Sequence, residues 1–166
     1  GYSADYIENG EQVILPDNFY SSNFYTDKMI NYIKEDINDD KPFFAYLAYT
    51  APHWPLQVPD EDMNLYKGYY DLGYEHVRQN LIEKLKRLGI IDETTIASMA
   101  PDYNKDWNSL TKEDKNLEIK KMEIFAAMVD NLDRNVGRVI EYLKKTGQYQ
   151  NTFVFFMSDN GAEGND

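Results

Sequence analysis

The chain contains no cysteine. Disulfide staples and thiolate metal sites are therefore excluded, although an absent thiol says nothing about redox compartment. Basic residues are few: 17 Lys and Arg stand against 29 Asp and Glu, a formal charge of −12. Such a field repels a phosphate backbone, and no Lys/Arg cluster overrides it, so no nucleic-acid partner is expected. The acid excess instead suits a secreted or periplasmic protein kept soluble by its charge. Long apolar runs are missing as well. The longest, such as Pro42–Tyr49, fall far short of the roughly 20 residues a bilayer span needs, so no membrane span is expected. No signal peptide is recognisable and the chain opens Gly1-Tyr2-Ser3 without an initiator Met. It ends on Gly161-Ala162-Glu163-Gly164-Asn165-Asp166, which reads as open loop directly after a strand. Truncation at both ends is the expectation, with residues 1–166 forming a single partial domain.

What is present suffices for one core. Of 166 residues, 42% are apolar, and 14 Tyr with 8 Phe rule out a disordered acidic tail. The first twenty residues read as irregular, with a short strand near Gln12–Leu15. Thr26 is placed to cap a helix whose Met29, Ile30, Ile33 and Ile37 share one face, and Asn38-Asp39-Asp40-Lys41-Pro42 breaks it. Phe43–Tyr49 is apolar at nearly every position, as a strand covered on both faces would be. Thr50-Ala51-Pro52-His53-Trp54-Pro55 ends it as a rigid loop, because each proline fixes its own φ and restricts the residue before it. Val77, Leu81, Leu85 and Leu88 predict a helix closed by Gly89, and Pro101 to Trp107 reads as surface loop. A long helix starts near Thr111, which has capping-box spacing to Asp114. Met122, Phe125, Val129, Leu132, Val136, Val139 and Leu143 form its expected buried stripe, and Gly147 its stop. Thr152–Met157 is a second continuously apolar strand, ended by Ser158-Asp159-Asn160-Gly161.

Two doubly buried strands joined through a helix predict an α/β fold, its sheet mostly parallel with helices on both faces. Ligands in such sheets sit beyond the carboxyl ends of the strands. His53 follows the first strand, and Asp159 and Asn160 follow the second, so neighbouring strands would bring all three to one crevice. Asp159 and Asn160 pair a carboxylate with an amide oxygen, the donors a hard cation such as calcium takes. Asn-Gly is equally a turn signal, and pattern alone leaves both readings open. His53, held between prolines, is either a structural loop residue or a rigid imidazole able to donate to an anionic ester or protonate a leaving oxygen. His76, beside Glu75 and Arg78, reads as a solvated helix position. Asp130 and Asp133 share a helix face with Arg134 and Arg138, which predicts ordinary ion pairing. Tyr66, Tyr69, Tyr70 and Tyr74 read as core cover before they read as a substrate mouth.

Three ordered blocks resemble the sulfatase family. Pro42–Gln57 resembles the segment ending in that family's substrate-pocket histidine. Met122–Asp130 with Asp133–Val139 is similar to the long helix before its metal strand, and Phe155–Ala162 resembles the metal strand itself. Leu88-Gly89-Ile90-Ile91 and Trp107-Asn108-Ser109-Leu110 resemble the linker region of bacterial arylsulfatases. The likeness runs from about residue 20 onward. It implies a partial alkaline-phosphatase-like α/β fold and hydrolysis of a small-molecule or carbohydrate sulfate ester. It further implies a calcium cofactor with Asp159 and Asn160 among its ligands, and His53 as the catalytic and substrate-binding residue facing the sulfate group. The family's nucleophile is a formylglycine made from Cys or Ser in a C/S-x-P-S/A-R motif, and these 166 residues contain no such motif. The chain alone is therefore expected to be inert. The alternatives are a phosphoester or phosphonate hydrolase of the same superfamily, and a noncatalytic binding domain that keeps the fold.

Overall fold

The computed structural model describes residues 4–35, 41–97 and 105–161. The described residues cluster in two compact units, one within Gly1–Asp60 and Met128–Asp166, the other Glu61–Ala127.

In the first unit, Asn9 and Gly10 have φ of 53° and 88°. Two consecutive positive φ values are what a two-residue turn needs to match the twist of flanking strands. They join β1 (Ile7–Glu8) to β2 (Glu11–Gln12) as an antiparallel hairpin, with Ile7 opposite Gln12. This is the only sheet among the described residues. The second strand overlaps the strand expected at Gln12–Leu15 only at Gln12 and starts one residue earlier, and the hairpin's Asn-Gly signal stands plainly at positions 9 and 10. Glu8 ties it to the following helix, α1 (Ser21–Glu35): Lys28 Nζ and Tyr32 Oη each donate to its carboxylate at 2.5 Å. These donors hold the Glu8 carboxyl below its usual range, and the Glu8 oxygen raises the Tyr32 hydroxyl to about 12.

Helix α1 starts five residues earlier than expected. The Tyr20 carbonyl accepts from the Phe24 amide at 3.0 Å, so the chain enters the helix at Tyr20 and Thr26 is not its N-cap. Thr26 is 0% exposed and donates from Oγ1 to the Ser22 carbonyl at 2.8 Å. That bond uses its one proton, so the contact to Tyr49 Oη at 2.7 Å is donated by the tyrosine. Burial rather than propensity decides this stretch: Ser22, Thr26 and Ile33 form the buried face, while Met29 and Ile30 are half-buried. Ile37 and most of the expected breaker lie outside the described residues.

Both later helices end as their glycines predict. Helix α2 (Gly73–Arg87) closes with Gly89 N–H to Lys86 O at 2.8 Å and Ile90 N–H to Leu85 O at 3.0 Å. Helix α3 (Lys112–Lys145) closes the same way, Gly147 to Lys144 at 3.1 Å and Gln148 to Leu143 at 2.9 Å. Each glycine has φ near +70°, the left-handed position of a Schellman motif, which any side chain would strain. Thr111 caps α3 by accepting from the Asp114 amide at 3.1 Å and donating to its carboxylate at 2.9 Å. Trp107–Ser109 forms a short 3-10 turn capped by Asp106, whereas residues 101–104 of the expected loop lie outside the described residues.

The buried row of α3 differs from the expected stripe. Phe125 and Val129 are exposed; Glu123, Ala127, Asn131 and Asn135, at strict four-residue spacing, are buried with Met128 and Leu143. The reason is pairing. Within the second unit Glu123 accepts from the Gly68 amide at 2.8 Å and from Lys120, which also caps the Met63 carbonyl at 2.9 Å. Within the first unit Asn135 donates to Asn23 Oδ1 at 2.8 Å and to Asn131, and accepts from Arg138, whose other nitrogen reaches Asp27. A polar row can be buried when its groups are satisfied in this way.

The expected strands at 43–49 and 152–157 are not formed, and no parallel sheet is assembled among the described residues. Phe44 is 94% exposed and Phe153 89%. A strand exists by hydrogen bonding to a neighbour, and the backbone pairs found outside the helices and the hairpin join none of these residues to one another. The chain is nonetheless extended at Thr152, and just beyond it the Phe153 and Phe155 rings, two positions apart, stack at 6.5 Å.

Two substitutions test this packing. Gly73 has φ of +82°, and a Cβ there would lie 2.3 Å from Trp107 Cδ2. Gly73→Ala is expected to destabilise the fold by roughly 2–4 kcal/mol, from the left-handed φ and the overlap together, read as a lowered urea midpoint. Asn135→Leu adds apolar surface at a position only 2% exposed. It should still cost about 2–4 kcal/mol, because Asn23 and Arg138 lose a buried partner; an unchanged urea midpoint would show that the row is passive filling.

Candidate functional site

The His53 loop is built by its prolines and short turns. Both Ala51–Pro52 and Trp54–Pro55 are cis, and the His53 amide donates to the Thr50 carbonyl at 3.0 Å. His53 itself is exposed. Its Nδ1 lies 2.8 Å from the Trp54 carbonyl. A carbonyl can only accept, so Nδ1 carries a proton and Nε2 is the nitrogen left for an outside partner. When the ring is doubly protonated Nε2 donates; when it is neutral Nε2 accepts. The first state suits an anionic ester or a leaving oxygen.

Residues far away in sequence hold both stems of this loop. Tyr49 bonds Thr26, Thr50 Oγ1 lies 3.5 Å from Ser21 Oγ, and the Tyr20 hydroxyl donates to the Gln57 carbonyl at 3.1 Å. These contacts span 23 to 37 positions and leave no trace in local pattern, so sequence reasoning missed them. Burial raises the Tyr49 hydroxyl above its ordinary range, against a lesser opposing effect of its bond to Thr26 and of Arg138.

Asp159 and Asn160 lie in an exposed bend after the second apolar segment. The Asn160 amide donates to Asp159 Oδ1 at 3.0 Å. Asn160 Nδ2 donates to the Gly161 carbonyl at 2.6 Å, which turns Oδ1 away from that bond. Ser158 Oγ closes the bend on the Asn160 carbonyl at 2.5 Å. One carboxylate oxygen and one amide oxygen remain without a partner among the described residues, a donor pair chemically suited to calcium. It is part of a coordination shell only: no group of three or more His, Cys, Asp or Glu gathers as a metal cluster among the described residues. Nor does any hydrogen bond or ion pair among them join His53 to Asp159 or Asn160.

The other candidates take their plainer roles. His76 is exposed on α2, its Nε2 2.9 Å from Asn80 Nδ2, beside a Glu75–Arg78 pair. Asp130 pairs with Arg134 at 2.8 Å as expected, whereas Arg138 pairs with Asp27 of α1 and not with Asp133. Tyr66, Tyr69 and Tyr70 stack edge to face in sequence and Tyr74 packs on Trp107 at 5.1 Å, but Tyr69 is 72% exposed and does not serve as the expected core cover. No helix among the described residues is long and apolar enough to cross a membrane.

The chain is similar in sequence to known proteins. An uncharacterized sulfatase of Schizosaccharomyces pombe is 49% identical over 148 residues, covering 89% of this chain and 26% of that protein. An arylsulfatase of Klebsiella aerogenes is 45% identical over 158 residues, covering 95% of this chain and 33% of its own length. The chain therefore spans about a quarter to a third of these relatives. The solved structure of Ps i-CgsB superposes with a TM-score of 0.53 at 27% identity, over 90% of this chain and 22% of that one, in line with an α/β class. The Sulfatase family model matches residues 1–166, and the chain belongs to the sulfatase family.

Proposed function

We propose that residues 1–166 are a single partial catalytic domain of a sulfuric ester hydrolase, acting on a small-molecule or carbohydrate sulfate ester outside the cytoplasm, in the periplasm or after secretion. The observation that carries this reading is the sulfatase match across residues 1–166, within which the His53 loop and the Asp159-Asn160 bend each follow an apolar segment. In this reading those segments are neighbouring strands of a mostly parallel sheet with helices on both faces, and their carboxyl ends bring His53, Asp159 and Asn160 to one crevice. The acid excess supports a soluble protein outside the cytoplasm.

Each residue then has one task. Asp159 contributes a charged oxygen and Asn160 a neutral one to calcium, which when bound supplies positive charge against the sulfate oxygens. His53, with Nδ1 anchored on the Trp54 carbonyl, presents Nε2–H to the bridging oxygen when the ring is doubly protonated, and so stabilises the charge that develops as the S–O bond breaks. The anchor fixes the ring's direction in advance, so little reorganisation is needed during turnover. The nucleophile, a formylglycine, and the remaining metal ligands come from parts of the protein outside these residues.

In the full-length protein, His53→Ala is expected to lower kcat on an aryl sulfate about a hundredfold, near 3 kcal/mol of barrier, with little change in melting temperature. The loop histidine is exposed and adds little to the core. A folded variant with wild-type kcat would remove His53 from the chemistry. The 166-residue chain by itself should bind calcium weakly, because calcium takes about six to eight oxygens and two side chains cannot supply them. Tight one-to-one binding in calorimetry, lost in Asp159→Ala, would show instead that the whole site lies within this chain.

A further inference from the structure

Helix α1 touches the His53 loop on both sides of the histidine. Upstream, Tyr49 donates its hydroxyl to Thr26, a side chain with no solvent exposure, at 2.7 Å. Downstream, Tyr20, at the entry to the same helix, donates to the Gln57 carbonyl at 3.1 Å. The loop between these points has one backbone bond of its own, His53 N–H to Thr50 O, and the histidine is exposed. Helix α1 is itself fixed against α3. Asn23 meets Asn135 at 2.8 Å and Asp27 pairs with Arg138, all within one compact unit. A short loop pinned at both stems to an anchored helix loses most of its freedom before any substrate arrives.

We propose that α1 is a positioning clamp for the His53 loop, with Tyr20 and the Thr26–Tyr49 pair as its two jaws. The clamp holds Nε2 in the direction that catalysis uses; this last step rests on the assignment of His53 to the substrate pocket. Tyr20, Thr26 and Tyr49 are positioning residues that touch no reacting atom. They act by keeping the imidazole where the leaving oxygen will be.

The test uses the full-length sulfatase containing this chain, with Tyr20→Phe, Tyr49→Phe and their combination beside His53→Ala. Each phenylalanine keeps the ring and removes only the hydroxyl, and thermal melting verifies that the variants fold. Hydrogen–deuterium exchange of a peptide covering residues 50–57 is compared with one from α3, and kcat and KM are measured on an aryl sulfate. The combined variant is expected to speed exchange at 50–57 while leaving α3 unchanged. It should lower kcat about tenfold with KM held within about twofold. Added to His53→Ala it should cost nothing further, since both act through one imidazole. Wild-type exchange at 50–57 in a folded double variant overturns the clamp, and so does a kcat loss that multiplies with that of His53→Ala. Faster exchange together with a harmless His53→Ala upholds the clamp on the loop and overturns the pocket assignment of His53, so the two failures are told apart.

Discussion

Asn135 is the point on which the first unit turns. Its amide, nearly without exposure, has Asn23 Oδ1, the Asn131 carbonyl and Asn131 Oδ1 all within 2.9 Å, while its own oxygen accepts from Arg138. An amide nitrogen has two protons, so three acceptors share them in a split arrangement. Burying such a group is costly unless its partners meet it at the right place, so the amide cluster defines where α1 can lie against α3. Leucines at the same positions would hold the helices together with less definition of register. Through α1 that constraint reaches the hairpin, by way of Glu8, and the His53 loop, by way of Tyr20 and Thr26.

Local chemistry was legible where it is self-contained. Gly89 and Gly147 end their helices because the left-handed position lies within a few residues of the bonds that define it, and Thr111 caps α3 for the same reason. The Asn9-Gly10 hairpin was equally legible, and reading the first twenty residues as irregular passed over it. Thr26 misled because a threonine before Asp-Lys-Met has a cap's spacing, and only the packing of Ser22 and Asn23 shows that the helix already runs beneath it. On α3 the apolar stripe drew attention to Phe125 and Val129, while the buried row was Glu123, Asn131 and Asn135, whose burial depends on partners 55 and 112 positions away.

The candidate site divides along the same line. The residue types at 53, 159 and 160 could be picked out as candidates because each follows an apolar segment in a turn. The proton on Nδ1 of His53 could not be read from sequence. It follows from a carbonyl one residue away whose direction the turn sets. The stems' attachment to α1 was hidden for the reason that hid Asn135: it is a contact between distant parts of the chain.

The two apolar segments add a last constraint. Phe43, Phe44 and Tyr46 in one, and Phe153 to Met157 in the other, include neighbours that are both exposed. Side chains of successive residues in an extended chain point to opposite sides, so a helix on one face can cover only half of them. Burying the rest takes a second covering layer, and satisfying the backbone takes strands on each edge. In the proposed sheet that pairing fixes how far the end of each segment projects, which sets the separation of His53 from Asp159 and Asn160. The imidazole then answers to two restraints of different origin. In that proposal sheet pairing would deliver the loop to the crevice, and α1 would set its attitude there. Their independence is an advantage for catalysis, since a small shift of one strand against another need not rotate a ring whose direction is held by a helix.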